Sequence, residues 1–358
     1  MFVKVITLLV FSSILLSCKK EPPVASSQDV PLSTVGVYIL NQGNFQKSNS
    51  SLSFYIPDSN KVYPDVFFAA NNRALGDVGN DMVIYENKGY IVVNNSNKIE
   101  IISLDNNKSL GTIAVDGNSP YKVAILSDTK GYITNLYKGT VTSFNPTTYA
   151  IVKDGINVGS NPQGIAVANG KVYVCNSGFT ATTSNEADST VSVIDPGSDS
   201  VVATIYVAKE PTDIAVDGDG ELVVACYGFT DYTNSANDTP GNITIINPKT
   251  NSVAATIPLP PAAYGHPSGL AVSTYGYGLT IVEDGVLKFD TKTMTIITDI
   301  FIGRSAYVIA VDDVTENVYI GDAKDYQQNG ELYVYDKNGV EKDSAMVGII
   351  PGTIVFKR

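Results

Sequence analysis

An all-β fold, a seven-bladed β-propeller, is what this sequence predicts, and three observations predict it. A short phrase recurs along the chain, the text between its copies is written in strand and turn residues, and the last copy has no strands after it. Charged residues make up only 17 % of the 358, tryptophan is absent, and tyrosine contributes 21. β-Branched and aromatic residues suit a pleated, packed surface, while Asn and Gly supply the turns. The formal net charge of −12 leaves no clustered basic residues for phosphates, which excludes nucleic acid as a partner.

The phrase reads NPQGIAV at 161, EPTDIAV at 210 and HPSGLAV at 266, with looser forms VGNDMVI at 78, SPYKVAI at 119, SAYVIAV at 305 and IPGTIVF at 350. Aligned on its second position it falls at Gly79, Pro120, Pro162, Pro211, Pro267, Ala306 and Pro351, in steps of 41, 42, 49, 56, 39 and 45 residues. A period of this length marks a solenoid or a propeller. Within one unit the text runs inner strand, hairpin, second strand (KVYVCNSG), loop, third strand (STVSVIDP), turn and fourth strand (SVVATIYV). Four short antiparallel strands per repeat make a propeller blade.

The hairpin of the unit that begins at Pro211 is DGDGE, 217–221. Its Asp-Gly pairs provide the positive φ of a tight turn, and the pattern of a calcium loop stops after five residues. AVDDVTENVY, 310–319, is the same hairpin without glycines. The last phrase, Pro351 to Phe356, has no strands after it, whereas GVYILNQG, 36–43, reads as a second strand lacking a first. The C-terminal strand is therefore expected to join the first blade and close the ring, which leaves no sheet edge open for aggregation.

Residues 1–17 read as a lipoprotein signal peptide: Lys4 is the basic start, Val5 to Leu16 the apolar stretch, and Leu15-Leu16-Ser17-Cys18 resembles a lipobox with Cys18 as the acylated residue. The apolar run is short of the roughly 20 residues that span a bilayer. Residues 18–34 read as a lipid-anchored flexible tether, rich in Pro and Ser, and 35–358 as the propeller. The membrane is thus met through the lipid anchor only.

Catalytic chemistry finds little purchase. His266 is the sole histidine and no nucleophile-elbow text stands near it, so a hydrogen-bonding role is expected first and ligand contact second. No metal motif and no cofactor motif is present, and the chain is read as a non-enzyme. Cys175 and Cys226 occupy equivalent strands of neighbouring units one register step apart, so they should point to opposite faces of their sheets; two buried thiols are expected rather than a disulfide.

Polar and aromatic residues collect in the loops that this parse brings to one face around the central channel. The first two units supply NQGNFQ with Asn41, Asn44 and Phe45, then Asp81 and Asn95. The third supplies Tyr121, Asn135 and Tyr137. Two enlarged loops follow, NSGFTATTSNEAD with Asn176 and Phe179, and YGFTDYTNSAND with Tyr227, Phe229 and Asp231. His266, Arg304, Tyr307 and Tyr326 complete the rim. Such groups stack on a flat ligand and satisfy its amides or hydroxyls.

NPQGIAVANGKVYVCNSG…STVSVIDPGSDSVVATI resembles YVTN-type propeller repeats. LNQGN and LGDVGND, with the text around them, resemble the opening of a Bacteroidetes family of surface propeller lipoproteins. Lys19-Lys20-Glu21 resembles that group's surface-export signals. Some members cap TonB-dependent outer-membrane transporters and capture cobalamin. The resemblance implies a surface lipoprotein of the bacterial outer membrane that binds a bulky nutrient, cobalamin or another corrinoid, for such a transporter. A lactonase- or lyase-type propeller enzyme and an adhesive surface protein without a small ligand are the alternatives.

Overall fold

The strand Lys171–Asn176 shows why these sequences make sheet buried on both sides. Its side chains alternate between two apolar environments: Val172 and Val174 pack in one cluster, Tyr173 and Cys175 in another. A strand covered on both faces gains burial at every position, so it reads as a continuous apolar run without visible alternation. A computed structural model describes residues 33–180, 187–231, 234–259 and 266–358. The signal segment, Cys18 and most of the tether lie outside the described residues, as do parts of both enlarged loops and of the AYGHPS connection. Among the described residues no helix is long and apolar enough to cross a membrane.

Seven four-stranded antiparallel sheets form the body of Ser33–Arg358, the seven-bladed propeller that the repeats predict. The inner strands of blades 1 to 7 are Pro351–Lys357, Gly79–Tyr85, Pro120–Ser127, Pro162–Ala168, Pro211–Val216, Leu270–Ser273 and Val308–Val311. They neighbour one another in ring order, and the last of the chain lies beside both Gly79–Tyr85 and Val308–Val311. Closure occurs inside blade 1, where Gly36–Asn41 pairs with Pro351–Lys357 on one side and Ser51–Ile56 on the other. Thr34 and Arg358 then meet on one buried carboxylate: the Thr34 hydroxyl donates to Asp312 Oδ2 at 2.7 Å and Arg358 Nη1 to Oδ1 at 2.6 Å.

The hydrophobic core is divided into seven clusters, one in each gap between adjacent blades. Tyrosines of the second strands tie these gaps together. The hydroxyl of Tyr38 reaches Asn107, that of Tyr90 the Pro146 carbonyl, that of Tyr132 Asp199 and that of Tyr173 Asn251, each on an outer turn of the next blade. Cys175 and Cys226 do alternate in register, but opposite faces of successive sheets are the two walls of one gap. Both are free and buried in the same cluster.

One element outside the repeat text is the helix Val66–Asn71 between blades 1 and 2. Asp65 caps it, its side chain accepting from Phe68 N at 3.0 Å, and Phe67 plugs the first gap. The inner hairpin at 217–221 is a turn, its Asp217 side chain accepting from the backbone N–H of Asp219 and Glu221.

Candidate functional site

In an antiparallel blade the second strand ends where the first begins, so the loops after the second strands and the connections between blades share one face. Backbone bonds stitch them together: Leu136 N to Ser119 O, Ser177 N to Asn161 O and Tyr227 N to Glu210 O. Around this rim stand three aromatic pairs. Tyr137 and Phe179, 63 % and 40 % exposed, lie 6.2 Å apart between blades 3 and 4. Tyr227 stacks on His266 at 4.4 Å between blades 5 and 6, and Tyr307 meets Tyr326 edge-on at 5.8 Å on blade 7. Phe45 is exposed on the blade 1 loop, which Asn44 fastens to blade 7 by donating to the Tyr326 carbonyl at 2.6 Å.

Not every residue expected on the rim offers itself to a ligand. Asn41, Asn135 and Asn176 are fully buried. Each amide clamps two hydroxyls of the next strand, Ser51 and Ser53, Thr140 and Thr142, and Thr190 and Ser192 respectively. They therefore serve the sheet, differing from the expectation, because each is the last residue of its second strand and pairs with the third strand instead of standing free on the rim. Phe229 is only 3 % exposed, folded back by its bridge to Thr239. Asp231 pins its own loop, accepting from Asn234 N and Asn237 Nδ2, and Asn95 donates to Asp77 at 2.6 Å. Arg304 bonds Tyr335 and Glu341 and lies 3.7 Å over the Tyr333 ring, on the body of blade 7.

Below the rim the channel opens into a cavity of about 450 Å³. Asp81, Tyr121, Tyr307 and Tyr326 line it as the sequence suggests, and so do three residues that reading missed, Gln42, Lys122 and Asp213. Gln42 accepts from the Tyr307 hydroxyl at 3.0 Å. Lys122 Nζ bonds Asp213 Oδ1 at 2.6 Å, linking blades 3 and 5 past blade 4. Asp81, Lys122 and Asp213 are the same position of the repeat, the residue after the one following the aligned Gly or Pro. Gly164 in that position of blade 4 leaves the backbone of Asp213 close, where a Cβ would lie 3.0 Å from the Asp213 Cα.

Burial pushes the Asp81 carboxyl up to about 6 against the pull of Lys122, and burial likewise takes Tyr121 up to about 12. Burial disfavours the Lys122 ammonium, but the Asp213 and Asp81 carboxylates outweigh it and hold its pKa above the ordinary lysine value. Both ring nitrogens of His266 are engaged, Nδ1 with the Tyr227 carbonyl at 2.5 Å and Nε2 with Thr230 Oγ1 at 2.8 Å. Among the described residues no three His, Cys, Asp or Glu side chains converge as a metal site.

The family model for a domain of unknown function, DUF5074, matches residues 35–357. The chain belongs to the DUF5074 family. No curated protein matches it by sequence. The DUF5074 propeller is similar in structure to the hydrazine synthase of Kuenenia stuttgartiensis, with a TM-score of 0.64 at 15 % identity over 76 % of this chain and 88 % of that one. It is also similar to a quinonprotein alcohol dehydrogenase-like protein from Bacteroides thetaiotaomicron, with a TM-score of 0.66 at 16 % identity over 90 % of this chain and 78 % of that one. At such identities the likeness is one of fold, and the functions of these neighbours do not transfer to the DUF5074 chain.

Proposed function

We propose that this propeller is a ligand-capturing lipoprotein of the bacterial surface that holds a bulky, amide-bearing nutrient, a corrinoid such as cobalamin, and passes it to a TonB-dependent outer-membrane transporter. The observation that carries the reading is the set of three aromatic pairs around one mouth of the channel. Aromatic faces bury large area at small entropic cost, and three pairs spread around a ring suit a flat ligand too broad to descend into the channel. The polar cavity beneath then meets whatever the ligand projects downward.

Binding rather than catalysis is favoured by His266, whose ring is committed at both nitrogens. Anchoring at the surface rests on the lipobox-like text ending in Cys18, and the transporter partner on the sequence resemblance.

The test is calorimetric titration of the protein with cyanocobalamin. Phe179→Ala and Tyr137→Ala are expected to weaken binding roughly tenfold or more, as truncation of an aromatic anchor commonly does, with little change in melting temperature, since both residues are exposed on the rim. Asp219→Ala, on the opposite face, is expected to leave affinity unchanged. Absence of any binding by the unmodified protein would rule out the corrinoid.

A further inference from the structure

The throat beneath the rim has two unlike walls. Blades 2, 3 and 5 line it with Asp81, Tyr121, Lys122 and Asp213, whereas blades 6, 7 and 1 line it with uncharged segments such as Gly269–Leu270 and Gly352–Ile354. On the charged wall the hydrogen bonding is unfinished. The Asp81 carboxylate accepts from Val123 N, at 3.0 Å on Oδ2, and from the backbone N–H of Met82, which leaves part of its capacity of about four lone-pair sites open. The Tyr121 hydroxyl has no hydrogen-bond partner there either, and Lys122 spends one of its three N–H donors on Asp213.

An open acceptor therefore stands beside open donors, in a cavity that a mixed-charge cluster of two carboxylates and one ammonium leaves at net −1. A carboxylate guest would meet that negative charge with little screening. An ammonium guest would meet Lys122, which already occupies the counterion position. A neutral group that both donates and accepts serves the open acceptor and an open donor together without a charge penalty.

We propose that the throat is a subsite for a neutral carboxamide on a short arm, its N–H donating to the Asp81 carboxylate and its carbonyl accepting from the Tyr121 hydroxyl, with the Lys122 ammonium beside it. The inference deepens the capture reading and rests on it for the source of the arm, which hangs from a ligand held by the rim. The throat is also a discriminator, since it admits an amide and rejects the acid of the same shape.

Two probe sets separate the throat from the rim. The first is butyramide against butyrate, titrated into the full chain at pH 7.5 and followed by ligand-observed NMR. Butyramide is expected to bind and butyrate not. Asp81→Asn is expected to admit butyrate to within about twofold of butyramide, and Tyr121→Phe to weaken butyramide about tenfold, the loss of one buried hydrogen bond. Tyr121→Phe keeps the ring and so gives a reading even if Asp81→Asn folds poorly. Equal binding of the two probes by the unmodified protein, or no binding of butyramide, overturns the proposal.

The second set is cyanocobalamin against the monocarboxylic acids made from it by amide hydrolysis. At least one acid is expected to bind about tenfold more weakly, and Asp81→Asn to narrow the gap. If all the acids bind as well as the parent, the throat assignment fails and the rim reading stands. If cyanocobalamin fails to bind while butyramide and butyrate still differ, the corrinoid reading fails and the throat stands.

Discussion

Glu210 occupies the corner before the inner strand of blade 5, where blade 4 has Asn161 and blade 6 has His266. Those two spend their polar atoms on the loops beside them, Asn161 on the Leu136 carbonyl and the Thr180 hydroxyl, His266 on Tyr227 and Thr230. Glu210 is 9 % exposed, and its carboxyl makes no hydrogen bond among the described residues. Burial pushes it from the ordinary 4.5 up to about 7, against the attraction of Lys209. The folded state thus holds this proton to higher pH than the unfolded chain does, so Glu210 lowers stability progressively as pH rises from about 4.5 through 7. Glu210→Gln is expected to remove that slope and to be more stable than the parent by about 2 kcal/mol at pH 8, with little difference at pH 4. Urea melts at the two pH values check it, and equal stability at pH 8 would contradict it. Such a residue is hard to find in sequence, because a Glu before a proline in a loop looks solvated. Phe229 is equally illegible in the text, because only the loop's return onto Thr239 decides which side of the turn is covered. Lys122 and Asp213 were within reach of the text, since the alignment that located the inner strands also puts Asp81 and both of them in one column.

At the level of the strand, the repeat was legible because each blade must restart at the channel with the same corner and the same short apolar run. The tyrosines within the second strands carried a different message. Tyr173 looks like one more β-forming residue in KVYVCN, yet its hydroxyl crosses the gap to Asn251, and to the Pro248 carbonyl at 3.1 Å. That staple depends on which outer turn of the next blade lies opposite, information held 75 residues or more along the chain. Tyr173→Phe keeps the ring in its gap and deletes only the staple, so a loss of about 1 kcal/mol is expected, whereas Tyr173→Ala adds a cavity and should cost about 3–5 kcal/mol. Denaturant unfolding of the two variants checks the ordering, and a loss as large for Phe as for Ala would show that the hydroxyl rather than the ring carries the effect. The helix Val66–Asn71 escaped the repeat for a plain reason: it belongs to no blade and contributes Phe67 to the first gap.

For the molecule as a ring, the closing sheet is, among the described residues, the one blade built from strands distant in sequence. Truncation after Gly348 removes Pro351–Lys357, uncovers Gly36–Asn41 and opens the gap core that contains Ile354. Loss of cooperative folding is expected, read as the absence of a sharp thermal transition in circular dichroism; a truncated protein melting like the full chain would contradict closure by this strand. The same sheet brings Val35 N within 3.0 Å of the Lys357 carbonyl, so the first and last strands run side by side with their ends in register. In topological terms the body is a cycle with an arbitrary origin. Joining residues near Val35 and Lys357 by a short linker, and reopening the chain at an outer turn such as 105–108, would permute the order of the blades in sequence while preserving every pair of neighbours in space. The turn through which the chain is cut, rather than the blade with which it starts, then sets where the ring is free to breathe.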